Sequence, residues 1–318
     1  MAEVVIGVGT SHSPQLSVRA ADWHVLREKD ENDPRLDYPA LLKKAKPGLE
    51  AELTPEKFRQ RDEACQAGIR ALGDALQKSQ AEVVVIFGDD QHEQFYDDNM
   101  PTFAIYHGKK LPVVTHTGRS PAAWKSAEER GWAPTEPEYE TESSLAEHLV
   151  RALIEEEFDI ARCNKLRPEI GVGHAFSFLY RRLLPGSKIP IVPVMVNTYY
   201  PPNQPTPKRC YAFGKAVRKA IESWNSAKRV AIMASGGLSH VVIDEEIDQM
   251  VIEGLKSKNP EMLFKLPRER LWGGTSEILN WVALAGAVAD RELRYLQYVT
   301  TYRSPAATGC GMGFAYWQ

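Results

Sequence analysis

The chain has 318 residues, 39 Lys+Arg against 42 Asp+Glu, and 43% hydrophobic residues. That is enough chain to bury a sizeable core, and one α/β domain over residues 1–318 is the expectation, with a largely parallel or mixed central sheet flanked by helices. A formal net charge of −3 gives no basic field for collecting phosphates, which argues against nucleic-acid partners, and no apolar run approaches the roughly 18 residues of a membrane span.

In chain order, residues 3–9 (EVVIGVG) read as a buried strand, and the N-terminus shows neither the basic nor the apolar region of a secretory signal. Residues 19–53 are polar and charged and read as a surface excursion. A helix follows from Thr54, with Pro55 at its first position and Phe58, Cys65, Ile69, Leu72 and Leu76 on one face. Residues 82–88 (EVVVIFG) form a second buried strand, and a strand–helix–strand order with so long a crossover belongs to parallel sheets.

The pattern then continues less regularly. PTFAIYHG (101–108) is a short strand, 117–143 a Pro- and Glu-rich loop, and 144–157 a helix; the acidic stretch 136–142 reads as solvated. KIPIVPVMVN (188–197) is apolar, but Pro190 and Pro193 point to an edge strand or an irregular extended segment. A helix over 208–224, a strand over 229–234 and helices near 243–257 and 275–290 follow. Extended residues 293–302 and a glycine-rich end at 309–317 complete the series.

The four cysteines (Cys65, Cys163, Cys210, Cys310) are far apart and form no Cys-x-x-Cys, so a zinc knuckle or disulfide framework is not expected; the usage fits a reducing cytoplasm. Several catalytic signatures are also missing. Gly7-Val8-Gly9-Thr10-Ser11-His12 begins like a dinucleotide fingerprint, but His12 stands where the third glycine belongs. There is no Walker loop, no His-Glu-x-x-His and no His-x-His, and Gly237-Leu238-Ser239-His240 lacks the flanking glycines of a nucleophile elbow.

The positive signal is the placement of histidines. Four of eight lie just past an apolar run with a glycine in the turn: His12, His92, His174 and His240. Strand ends of a parallel sheet share one rim where ligands bind, so these imidazoles can converge, although singly each reads as a hydrogen-bonded histidine near a helix start. Two imidazoles with one carboxylate suit non-haem Fe(II) and leave positions for oxygen and substrate. Glu246 is one candidate carboxylate, and Asp89, Asp90 and Glu93 beside His92 compete for the role; residue types alone do not choose. His24, His107, His116 and His148 carry plainer readings, in the insertion, at a strand end, in an extended segment and beside a helix face.

At these residues the chain resembles the class III extradiol ring-cleaving dioxygenases, the superfamily of the protocatechuate 4,5-dioxygenase β-subunit. The matching stretches are GTSHSP (9–14), DDQHEQF (89–95) with PTFAIY (101–106), VGHAFSFLY (172–180), PVMVNTYYPP (193–202), KRCYAFGKAVRKAIES (208–223), GGLSH (236–240) with EEIDQ (245–249), and GTSEILNWVALAGA (274–287). They run in order along almost the whole chain. The resemblance implies an Fe(II) site on His12, His92 and Glu246, His240 as catalytic base, and His174 as an acid or substrate contact. It further implies O2 and a catecholic aromatic acid as partners. The single-chain layout is more similar to the gallate and 3-O-methylgallate branch than to the two-subunit enzymes, which favours a trihydroxylated or methoxylated acid, with a protocatechuate-type acid also in the class.

Two departures stand out. Gln91 adds a residue between Asp90 and His92, shifting that histidine, and residues 19–60 form an insertion expected to cap the site as the small subunit does in two-subunit members. For a substrate carboxylate, Thr275 and Ser276 at a helix start offer backbone N–H groups and hydroxyls, against a plainer reading as N-caps. Tyr302 and Arg303 lie near the same end, Arg303 equally readable as a surface charge. Trp23, Trp272 and Trp281 read as walls of an aromatic pocket or as core, with core preferred. The competing readings are a zinc-dependent hydrolase or amidase on the same rim and a non-catalytic metal-binding member. A homo-oligomer is left open.

Overall fold

The structure is a computed structural model; the residues it describes are 1–114, 127, 130, 136–167 and 169–318. His116, and most of the loop expected from 117, lie outside them. The strands are β1 (Glu3–Thr10), β2 (Val83–Gly88), β3 (Phe103–Tyr106), β4 (Lys110–Pro112), β5 (Glu138–Glu140), β6 (Ala161–Cys163), β7 (Ile191–Val196), β8 (Arg229–Ser235), β9 (His240–Val242), β10 (Leu293–Thr300) and β11 (Thr308–Trp317). The α-helices are α1 (Trp23–Glu31), α2 (Tyr38–Lys44), α3 (Pro55–Ser79), α4 (Ser143–Glu155), α5 (His174–Phe178), α6 (Pro207–Ser223), α7 (Glu245–Ser257), α8 (Pro260–Phe264) and α9 (Ile278–Ala287).

The main sheet has nine strands, in the order β10-β11-β1-β8-β2-β7-β3-β6, with β9 pairing β11 outside that path. β1, β8, β2 and β7 are mutually parallel, whereas β3 runs antiparallel to β7 and β11 antiparallel to β1. The α/β expectation with a mixed sheet therefore holds. Each central strand is apolar on both faces because helices cover both. Val83, Val85 and Phe87 of β2 join a cluster with α4, α6 and α9, while Val84 and Ile86 pack toward α3, where Cys65, Ile69, Leu72 and Leu76 are buried. Thr54 caps α3 by accepting from the Lys57 N–H at 3.3 Å, with Pro55 at the first position as expected.

β7 corrects the edge-strand expectation: it is central, between β2 and β3. The Val84 N–H donates to the Pro190 carbonyl, so even-numbered residues face β2 and Pro193 turns its ring nitrogen the other way. On that side the β3 register stops at the Ile105–Val194 pair, one short of a Tyr106–Pro193 pair where Pro193 has no N–H to donate. The surface excursion at 19–53 is mostly helical. Two further expectations change: the acidic 136–142 stretch contains β5 paired with β4, and His174 follows a turn at 169–172 and opens α5 instead of ending a strand. All four cysteines are free, and no described helix is long and apolar enough to cross a membrane.

Candidate active site

The C-terminal ends of β1, β8, β2 and β7 open on one rim. They deliver, in turn, His12, the Gly236–His240 turn, the Asp89–Glu93 loop, and Tyr199 with Tyr200. Above the rim is a cavity of about 670 Å³ whose lining includes His12, Gln91, His174, Tyr199, His240 and Glu277.

Glu277 is the centre of this group. It is 1% exposed, one residue before α9, whose remaining residues are almost all buried. Its Oε2 accepts from the Gly237 N–H at 2.8 Å and lies 3.4 Å from His12 Nε2 and 3.5 Å from His240 Nε2; its Oε1 accepts from the Tyr199 hydroxyl at 2.7 Å. Burial alone would raise its pKa, but the imidazoles of His240 and His12 and the hydrogen bond from Tyr199 outweigh that and hold the carboxyl well below the usual range.

His12 is 1% exposed, its Nδ1 is 3.0 Å from Ser235 Oγ, and its Nε2 has no hydrogen-bond partner. Such a buried orphan nitrogen costs free energy unless something binds it. His12, Asp89 and Glu277 each offer a ligand atom, all within 4.8 Å of one another. Imidazole and carboxylate donors suit a divalent transition metal, so the residues fit the group the resemblance implies. Asp89, fully buried, is pushed up to about 6 by burial and by the negative charge of Glu277. Two adjacent buried carboxyls are what a bound cation would compensate.

His240 is held by two hydrogen bonds. Its N–H donates to Thr275 Oγ1 at 3.0 Å, and its Nδ1 lies 2.9 Å from the Leu238 carbonyl. A carbonyl only accepts, so Nδ1 carries a proton and Nε2 is the nitrogen turned to Glu277 and the cavity. A side chain at Gly237 or Gly274 would collide with this ring, which accounts for glycine at both places. The turn itself is fixed by Asp248 of α7, which accepts from the Ser239 N–H at 2.7 Å and the Ser239 hydroxyl at 2.6 Å.

His174 reaches the same cavity from α5, its ring T-shaped against that of His12 with centroids 4.6 Å apart. Its Nδ1 is 3.0 Å from Glu93 Oε1. Burial opposes protonation, but the charge and hydrogen bond of Glu93 prevail and push the imidazole up to about 9.

Other expected site residues are placed differently. Glu246 is on the outward face of α7, its side chain 77% exposed and 3.0 Å from Arg270, because the helix turns Ile247 and Asp248 inward. His92 has a positive φ of 59° and is stacked on Tyr200 at 3.7 Å and on Tyr96 at 5.3 Å, off the cavity wall. Gln91 faces the cavity in its place, its Nε2 donating to Asp89 at 3.0 Å and Tyr199 at 3.1 Å. Of the competing carboxylates, Asp90 accepts from the N–H groups of Glu93, Gln94 and Phe95 and so shapes the loop. Thr275 and Ser276 are not on the cavity wall; Thr275 bonds His240 and Ser276 donates to the Gly273 carbonyl at 2.6 Å. Trp272 is 60% exposed and lines the cavity, whereas Trp23 and Trp281 are core. Arg303 is no surface charge: it is buried against Asp30.

Sequence reasoning missed Glu277, Tyr199 and Asp248. A signal for the first existed: Glu277 and Asn280, three apart, are the polar residues of an otherwise apolar run, EILNWVALAGAV (277–288).

The family described as the catalytic LigB subunit of aromatic ring-opening dioxygenase matches residues 47–313. Among curated proteins, the chain is 31% identical to a gallate dioxygenase of Pseudomonas putida over 181 residues, 52% of this chain and 51% of that protein. It is 25% identical over 195 residues to a 2,3-dihydroxyphenylpropionate/2,3-dihydroxicinnamic acid 1,2-dioxygenase of Dechloromonas aromatica, 59% of this chain and 54% of that protein. A protein of the same name from Burkholderia vietnamiensis is 26% identical, over 60% of this chain and 54% of its own length. The chain thus spans about half the length of the curated relatives it matches.

Proposed function

Because the chain belongs to the family of catalytic LigB subunits of aromatic ring-opening dioxygenases, we propose that it opens the ring of a catecholic aromatic acid with O2. The acid is of the gallate, 3-O-methylgallate or protocatechuate kind, and the resident metal is Fe(II), in a cytoplasmic setting. The observation that carries this reading is the orphaned His12 Nε2 facing Glu277 at 3.4 Å on the rim of the cavity, with His240 on the other side of the same carboxylate.

His12 and Glu277 would hold the metal, which when bound supplies a Lewis acid for the catechol and a means of joining O2 to it. The chain's own groups do the rest. His240, with its proton fixed on Nδ1 by the Leu238 carbonyl, takes a hydroxyl proton at Nε2. His174, paired with Glu93, holds a proton and returns it as the ring opens. Tyr199 and the Gly237 N–H keep Glu277 ionised and fixed in place. The substrate ring would lie between this rim and the segment whose Leu26, Lys29, Asp33, Arg35 and Leu36 wall the cavity. Lys29, instead of Thr275 and Ser276, is the group offered to the substrate carboxylate, since Arg35 on the same wall is paired with Asp33.

The test is anaerobic Fe(II) loading followed by oxygen-electrode assays over gallate, 3-O-methylgallate, protocatechuate and 2,3-dihydroxyphenylpropionate. One O2 consumed per ring opened is the expected result; a loaded protein that consumes none with any of the four overturns the reading.

A further inference from the structure

We propose that Asp89 is the third protein ligand, so that this chain holds its metal with one imidazole and two carboxylates while His92 stays outside the coordination sphere. The inference rests on the reading of a metal site at His12 and Glu277 and deepens it.

Asp89 is the first residue past β2, and β2 is separated from β1, which delivers His12, only by β8. Its carboxylate reaches the shared position with His12 and Glu277, and its side chain is completely buried. Two amides hold it, one at each oxygen: Asn280 Nδ2 is 3.3 Å from Oδ1 and Gln91 Nε2 is 3.0 Å from Oδ2. This is how ligating carboxylates are oriented by their neighbours. The unpartnered Nε2 of His12, aimed at the same place, is the independent sign of a ligand.

His92 has the opposite surroundings. Its backbone is in the left-handed region, its ring lies within 4° of parallel to Tyr200, and its Nε2, also unpartnered, is 3.5 Å from Asp97. The Gln91 amide, projecting beside Asp89, Tyr199 and Glu277, occupies the side of the loop that faces the metal position. A donor set with more carboxylate and less imidazole is harder, which favours Mn(II) against Zn(II) relative to a two-imidazole site.

Metal titration calorimetry with Fe(II) and Mn(II), under anaerobic conditions and with bound metal counted by mass spectrometry, tests this on the wild-type chain and two variants. His92→Phe keeps the stack on Tyr200 and is expected to bind one metal within about threefold of wild-type affinity, whereas Asp89→Asn weakens binding by at least tenfold. If His92→Phe loses metal as severely as Asp89→Asn, or if Asp89→Asn binds normally, the assignment is overturned. X-ray absorption of the Fe(II)-loaded wild type needs no variant to fold: scattering from one imidazole is expected, and from two would overturn the proposal. A wild-type chain that binds no divalent metal at all would instead sink the functional reading on which this rests.

Discussion

Glu277 and His240 show how much a single pair of side chains can be made to do by its neighbours. A buried carboxylate is costly unless donors and positive charge surround it, and Glu277 has the Gly237 N–H, the Tyr199 hydroxyl and two imidazoles around it. His240 lies on the cavity side, its tautomer set by the Leu238 carbonyl. Its position allows a clean separation of binding from chemistry. His240→Phe is expected to keep the metal, because His12 and Glu277 are untouched. It should lower kcat by about 10²–10⁴-fold, the usual contribution of general acid–base catalysis. Metal content and single-turnover rates on the same preparation check this. Near-normal turnover would remove His240 from the base role, and loss of metal would make it a ligand.

At the scale of elements, the parallel strands were readable because β-branched apolar runs have few alternatives. The rim followed from them: His12 and His240 were placed there by strand ends alone. The carboxylate was missed because attention fell on the acids at the start of α7, and which of those turn inward is fixed by packing, whereas Glu277 heads an apolar run of its own. Within Glu245–Asp248 the sequence offers three acids, and the structure turns Asp248 in and Glu246 out. The Asp89–Glu93 loop failed for a related reason, since one extra residue decides whether Gln91 or His92 faces the cavity, and no periodicity operates in a loop.

Asp248 also makes the packing of α7 against the Ser239–His240 turn pH-dependent. Burial pushes its carboxyl up to about 6 from an ordinary 3.8, against the lowering effect of Ser239 and Tyr298. The folded chain then holds a proton that the unfolded chain has released between these pH values, so stability falls as pH rises from 4 to 6 and is constant in this respect above. Asp248→Asn lacks the titration. From pH 4 to pH 7 the wild type should lose up to about 3 kcal/mol relative to Asp248→Asn. Parallel denaturation curves for the two proteins over that range would show that Asp248 titrates as it does in the unfolded chain.

Across the whole molecule, residues 20–52 are fastened to the body by a few specific contacts. Arg303, just past β10, donates to both oxygens of Asp30 at 2.6 and 2.9 Å, with side chains only 11% and 4% exposed, and also to Gln15 at 3.0 Å. Trp23 packs on Phe58, and Lys46 reaches Glu245 of α7. Because α1 carries Asp30 on one side and presents Leu26 and Lys29 to the cavity, the ion pair sets the position of that wall. Asp30→Asn would leave a buried guanidinium without its counter-charge, a loss on the order of 3–5 kcal/mol, felt first where α1 meets the body. The expected result is a raised KM for the aromatic acid with a smaller change in kcat, together with faster proteolysis within residues 20–52. Removing residues 20–45 altogether should raise KM further while leaving metal affinity unchanged, because His12, Asp89 and Glu277 all lie outside the deleted segment. Unchanged substrate affinity in the deletion would show that the insertion merely borders the cavity and takes no part in closing it.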